Sequence, residues 1–166
     1  MNGHEVHYRI PAGVRVVELG YRRTSYDTDW TGHFECDDPS LNTLWTKSCR
    51  TLDVCMRDTF MDCPDRERAQ WWGDVVIQTG SVFYACDPAT GPLLARKAVH
   101  ELASWQRSDG TLYSPIPAGV PSDSTPEDDR RRGCWDFELP SQMLASVGEY
   151  GFWAYYWYSG DLQTLE

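Results

Sequence analysis

From Asp38 onward the apolar residues of this chain recur every three or four positions, and that period makes it mainly helical. Asp38-Pro39 is a good helix start: Asp offers a side-chain acceptor to the first free amides, and Pro presets φ. Leu41, Leu44, Trp45, Cys49, Leu52, Cys55 and Met56 then follow on one face, predicting an amphipathic helix to about residue 56 or 58. A second helix is expected from Trp71 to Tyr84, burying Val75, Val76, Thr79, Val82 and Phe83. Asp87-Pro88 repeats the start signal, and Leu94, Ala98, Leu102 and Trp105 carry a third helix to about Gln106. Leu139-Pro140 opens a fourth, through Met143, Val147, Tyr150, Ala154 and Trp157, with Gly160 as its stop.

The two ends of this helical run differ from it. Residues 5–21 alternate in short runs (Val6, Tyr8, Ile10, then Val14, Val16) around Pro11-Ala12-Gly13, predicting a strand, a turn and a second strand. The polar stretch 22–38 reads as a connection with at most a short strand near Phe34. Within it Asp27, Asp29, Gly32 and Asp38 follow an EF-hand rhythm, but Thr31 at the fifth place and Asp at the twelfth break it. A turn-rich surface loop is the better reading. Residues 107–138, with Pro115, Pro117, Pro121 and Pro126, form a long irregular segment, the kind that is functional or disordered in a compact domain. Its Glu127-Asp128-Asp129 cluster beside Arg130-Arg131-Arg132 reads as a solvated ion-pair tract. The aromatic run FWAYYWY at 152–158 covers all sides of its helix, as an inner helix of a layered assembly would.

Composition removes several function classes. A hydrophobic fraction of 41% in 166 residues is enough to bury a core. The formal charge of −10 argues against nucleic acid and against an anionic membrane face. No run approaches the roughly 18 apolar residues of a membrane span. MNGHEVHYRI has no apolar signal core, so the compartment stays open. The six cysteines include no C-x-x-C pair and the four histidines are scattered, so neither a metal nor another cofactor is expected. Cys49 and Cys55 read as core thiols.

The chemistry concentrates in residues 58–74, DTFMDCPDRERAQWWGD. Four carboxylates (Asp58, Asp62, Asp65, Glu67), Arg66, Arg68 and a Trp71-Trp72 pair precede Gly73-Asp74. A solvated face would lack the tryptophans, and a core helix would lack the charge. Glycoside hydrolysis needs one protonated carboxyl for the leaving oxygen and a second carboxylate to activate water or attack the sugar. With Pro64 breaking the chain, Asp62, Glu67 and Asp74 can converge from a loop and a helix start. Arg66 and Arg68 would hold Asp62 or Asp74 ionised, while Trp71 or Trp72 keeps Glu67 in a drier place where its pKa rises. The plainer reading is a network of surface ion pairs beside a helix N-terminus.

DCPDRERAQWWGD closely resembles the catalytic-acid motif of the α-L-rhamnosidases, inverting glycoside hydrolases of family 78. CDDPSLNTLW and DTFMD upstream resemble the first barrel helix of that family, and WDFELPSQMLASVGEYGFWAYYWYSGD a later one. The resemblance implies an (α/α)6 barrel beginning near residue 34, with residues 1–33 as the end of a preceding β-sandwich domain and a linker. It implies Glu67 as general acid, and Asp62 and Asp74 as carboxylates holding rhamnose hydroxyls. Arg66 would touch the sugar, and Trp71 would form pocket wall with Trp72 as the alternative. Trp135 and Glu138 are further candidates. The substrate would be a rhamnose-containing glycoside or polysaccharide. The barrel needs more helices than the four read here, and the family's general base would lie beyond Glu166. The chain is therefore expected to carry the acid half of the site, to be inactive alone, and to self-associate through exposed barrel helices. The rival expectation is a non-catalytic carbohydrate-binding or structural helical module.

Overall fold

The computed structural model describes residues 5–107, 109–113, 115–117 and 147–165. Helix α1 (Pro39–Cys55) starts as its sequence dictates: the Asp38 side chain accepts from the Ser40 amide at 2.8 Å, with Pro in the first turn. It ends one residue earlier than expected, where Met56 turns extended (φ −110°, ψ 122°). Only its last turn is buried, through Leu52, Asp53 and Cys55; Leu41 and Leu44 remain exposed. Its apolar stripe is covered only in part over the first two turns, where Trp45 packs beside Phe34 and against the core.

Helices α2 (Trp72–Ala85) and α3 (Gly91–Ser104) make the centre. Trp72, Val75, Val76, Thr79 and Val82 of α2 meet Leu94, Ala95, Ala98, Val99 and Leu102 of α3 in one core. Ala95 and Ala98 are small enough to bring the axes close, so the larger α2 residues fill the interface. Helix α3 begins a turn later than Asp87-Pro88 suggests. The Asp87 carboxylate accepts from the Ala89 amide (2.9 Å) and its carbonyl from Gly91 (2.9 Å), so Asp87 caps a tight turn ahead of the helix.

The fourth helix appears from Val147, its expected start at residues 139–146 lying outside the described residues. It opens as a π-helical stretch (Val147–Trp153) and continues as α4 (Ala154–Ser159), stopped by Gly160 in the left-handed region (φ 69°). Val147, Gly151 and Tyr155 form its buried edge against α2. Tyr150, Trp153, Trp157 and Tyr158 are exposed, so among the described residues this helix is covered on one side rather than all round. A short 3-10 turn (Leu162–Thr164) follows.

Two strands occur among the described residues, neither of them expected. Residues β1 (Gln70–Trp71) and β2 (Pro115–Ile116) pair antiparallel, Gln70 opposite Ile116 and Trp71 opposite Pro115. The expected hairpin at 5–21 is absent: its turn forms (Val14 N to Pro11 O, 3.4 Å), but no ladder joins its arms. Its apolar residues stay exposed, Tyr21 by 92%. An isolated two-stranded hairpin is marginal in water and needs a covered face to persist.

Residues 22–34, in contrast, form an ordered strap over the helix ends. Arg23 and Arg50 both hold the buried carboxylate of Asp53. Tyr26 donates from its amide to Met56 O (3.1 Å) and from its hydroxyl to Thr90 O (2.7 Å). Gly32 donates to Ala85 O (3.1 Å), and Asp87 donates to Asp29 O (2.8 Å). At Gly32 a Cβ would stand 2.0 Å from Tyr84 O and 2.7 Å from Ala85 Cα, both backbone atoms with no rotamer to escape through. Gly32→Ala is expected to lower unfolding stability by about 1–3 kcal/mol, the usual cost of overpacking. Urea denaturation followed by circular dichroism checks this; an unchanged midpoint would mean that the strap does not hold this close approach in solution.

Candidate active site

Residues 56–71 leave α1 and return to α2 as a loop tied at several points. Met61 donates to Cys55 O (2.8 Å), and Gln78 of α2 donates from its side chain to Met61 O (2.8 Å). Asp62 closes the inner ring twice: its amide donates to Ala69 O (3.0 Å), and its carboxylate accepts from the Ala69 amide (3.2 Å). Lys97 of α3 reaches Asp58 O and also pairs with Glu101 at 2.6 Å, while Glu101 accepts from Gln70. Inside the ring Arg68 adopts φ 55°, the one non-glycine with positive φ among the described residues. Such a conformation costs about 1–3 kcal/mol and persists where the surroundings over-determine it.

Glu67 lies at the centre. One carboxylate oxygen, Oε1, pairs with the Arg66 guanidinium; the other, Oε2, accepts from the Cys63 thiol at 3.2 Å. Its side chain is only 11% exposed, whereas that of Arg66 is 85% exposed. The hydrogen bond from Arg66, helped by Cys63, outweighs desolvation and pulls the Glu67 pKa down to about 2. Asp74, in the first turn of α2, shifts the opposite way: desolvation raises it, and so do the charges of Asp62 and Glu67.

This corrects the charge assignment expected from sequence. Arg66 serves its neighbour Glu67 rather than Asp62 or Asp74, and the carboxyl whose pKa rises is Asp74. Chain proximity decides it, since the guanidinium reaches the adjacent side chain without leaving the loop.

Asp62 and Glu67 are brought together, with donor atoms of Asp62, Cys63 and Glu67 all within 4.8 Å of one another. That spacing would suit a cation, yet both Glu67 oxygens already have partners, so the group reads as a hydrogen-bonded cluster. Trp71 is partly buried on β1, opposite Pro115. Trp72 is fully buried in the core and cannot touch a ligand. Trp135 and Glu138 lie outside the described residues. Cys63 and Gln70 are additions: neither the cysteine pattern nor any charge pattern in the sequence marks them. Two surface grooves among the described residues lie elsewhere. One of ≈ 500 Å³ runs between α2 and the 147–159 helix, past Ile77, Tyr84, Tyr150 and Tyr158. The other, of ≈ 450 Å³, follows Arg96, Lys97 and His100 on α3.

Over residues 29–166 the chain matches the family described as the bacterial alpha-L-rhamnosidase 6 hairpin glycosidase domain. The mainly helical architecture agrees with part of such a domain. No curated protein and no solved structure gives a significant match.

The Arg66–Glu67 pair has a pH signature. Because the folded-state pKa of Glu67 is depressed, its stabilisation is present above the ordinary 4.5 and lost as pH falls through about 2. Carboxyl-carbon NMR of the chain is expected to show Glu67 titrating near 2, and Arg66→Gln to move it back toward 4.5. A midpoint near 4.5 with Arg66 intact would mean that the pair does not form.

Proposed function

The chain belongs to this family of six-hairpin glycosidases, and from that premise we propose that it supplies the general-acid half of a site hydrolysing terminal α-L-rhamnosides with inversion. Residues 34–166 are then the first part of an (α/α)6 barrel, and residues 1–33 the end of a preceding β domain and its linker. The observation that carries the reading is the sheltered carboxyl of Glu67, held within one pinned loop beside Asp62 and near enough to Asp74 for its charge to raise that carboxyl's pKa.

In this reading Glu67 delivers a proton to the glycosidic oxygen, while Asp62, Asp74 and Arg66 hold rhamnose hydroxyls and Trp71 lines the pocket. Trp72 supports the wall from behind. Trp135 and Glu138 stay as further candidates. The general base comes from beyond this chain, on the far side of a water, at the roughly 6.5–9.5 Å separation of inverting sites.

A carboxyl held near pKa 2 cannot act as an acid at neutral pH, so Arg66 must leave it first. Its exposed side chain is free to turn toward a sugar hydroxyl. With the Arg66 hydrogen bond gone, the largest cause of the lowered pKa is removed, and desolvation in the sheltered loop pushes Glu67 up. Substrate arrival thereby converts Glu67 from a paired carboxylate into a proton donor.

Glu67→Gln in the enzyme containing this chain is expected to cut hydrolysis of rhamnosides with poor leaving groups by about 10²–10⁴. Aryl rhamnosides with acidic leaving groups need no proton and should lose far less; equal losses would remove Glu67 from the acid role. Rhamnose binding without any turnover would favour the non-catalytic module instead.

Proton NMR of the first-formed product should show β-rhamnose before mutarotation. Initial release of the α anomer would contradict inversion. The 166-residue chain alone should give no turnover, since water attack lacks its base, and its exposed Tyr150, Trp153 and Trp157 favour association.

A further inference from the structure

Cys63 contacts the acid from the side opposite Arg66. Its thiol donates to Oε2 of Glu67 at 3.2 Å, while Arg66 occupies Oε1. The two contacts differ in permanence. Arg66 stands largely in solvent, whereas Cys63 adjoins Asp62, whose two hydrogen bonds to Ala69 pin the loop, and Pro64 stiffens the next position.

We propose that Cys63 is the positioning residue of the acid: its thiol holds Oε2 as an acceptor and leaves Oε1 as the oxygen that carries the transferred proton. The proposal rests on the reading of Glu67 as the general acid. When Arg66 turns to the sugar, Oε1 loses the guanidinium while Oε2 keeps the Cys63 thiol, so protonation falls on Oε1. In the chemical step the Oε1–H bond breaks and its proton goes to the glycosidic oxygen. The electron pair of the sugar C1–O bond leaves with that oxygen, and water fills C1 while giving its proton to the base. Glu67 ends as a carboxylate to which the Cys63 thiol still donates. A thiol suits this place because it is a weak donor, able to orient the carboxyl without fixing it in the charged form.

Two variants separate positioning from mere packing. Cys63→Ala removes the donor, and Cys63→Ser keeps one. In the 166-residue chain, carboxyl-carbon NMR is expected to show the Glu67 midpoint raised in Cys63→Ala and returned toward the parent value in Cys63→Ser. In the enzyme containing the chain, Cys63→Ala should lower kcat about 2- to 10-fold on poor leaving groups, the effect of one weak hydrogen bond. KM and the rate on acidic leaving groups should hold, and Cys63→Ser should recover part of the loss. A Glu67 titration unmoved by either variant, or an equal loss on both leaving-group classes, overturns the role of Cys63. Equal losses in Glu67→Gln would instead overturn the acid reading on which it rests, so the two failures are distinguishable.

Discussion

Everything at the site depends on where Trp72 is. It is the first residue of α2 and is fully buried, against Val76 and Val147 and close to Gly151, where a Cβ would stand 3.4 Å from the indole Cζ3. Its Nε1 has no hydrogen-bond partner among the described residues, a deficit of about 1–3 kcal/mol for a buried donor. Deleting a buried Trp side chain costs about 3–5 kcal/mol, so the packing wins and the indole stays in. With Trp72 wedged, the residue before it must run extended, and Trp71 pairs with Pro115 on β1. Asp74 then falls in the first turn of α2, off the core face, where desolvation and, after it, the charges of Asp62 and Glu67 raise its pKa.

The second constraint is a shortage of positive charge. Asp62, Glu67 and Asp74 share a field in which Arg66 is paired with Glu67. One guanidinium stabilises one carboxylate well, and the others repel what remains. Arg66 pulls Glu67 down to about 2, while Asp74 is raised by desolvation first and then by the charges of Asp62 and Glu67. Asp74, which lacks the arginine, holds its proton more tightly than an ordinary aspartate, and Glu67, which has it, less tightly than an ordinary glutamate.

Local features were legible in the sequence because short-range physics decides them. The Asp38 cap, the Gly160 stop and the buried stripes of α2 and α3 all follow from spacing and residue type. So, in principle, was the Trp pair: counting back from Val75, Val76 and Thr79 puts Trp72, not Trp71, on the buried face. What the sequence hid was decided by distant partners. Strand β1 exists because residues 115–116 return to it, and nothing in a two-residue strand shows alternation. Residues 5–21 alternate well yet form no ladder, because pattern cannot provide the surface that would cover them. The ionisation of Glu67 was misread for the same reason: Arg66 had several possible carboxylates, and only the folded loop shows which one it reaches.

The loop itself explains how such repulsive groups stay together. Carboxylates left on a free segment would separate until water screened them. Here the segment is anchored to α1 through Cys55 O, to α2 through Gln78, and to α3 through Lys97 at Asp58 O and Glu101 at Gln70. Asp62 and Ala69 close the ring, and the strained Arg68 sits inside it. Three helices thus oppose what the charges would do alone, and part of the folding free energy of the helical core is held as strain and repulsion at 62–69. A site preorganised in this way need not reorganise when charge develops on a substrate. The Arg66 side chain stands in solvent, so the backbone ties fix the frame while the guanidinium that pairs with Glu67 stays at its surface.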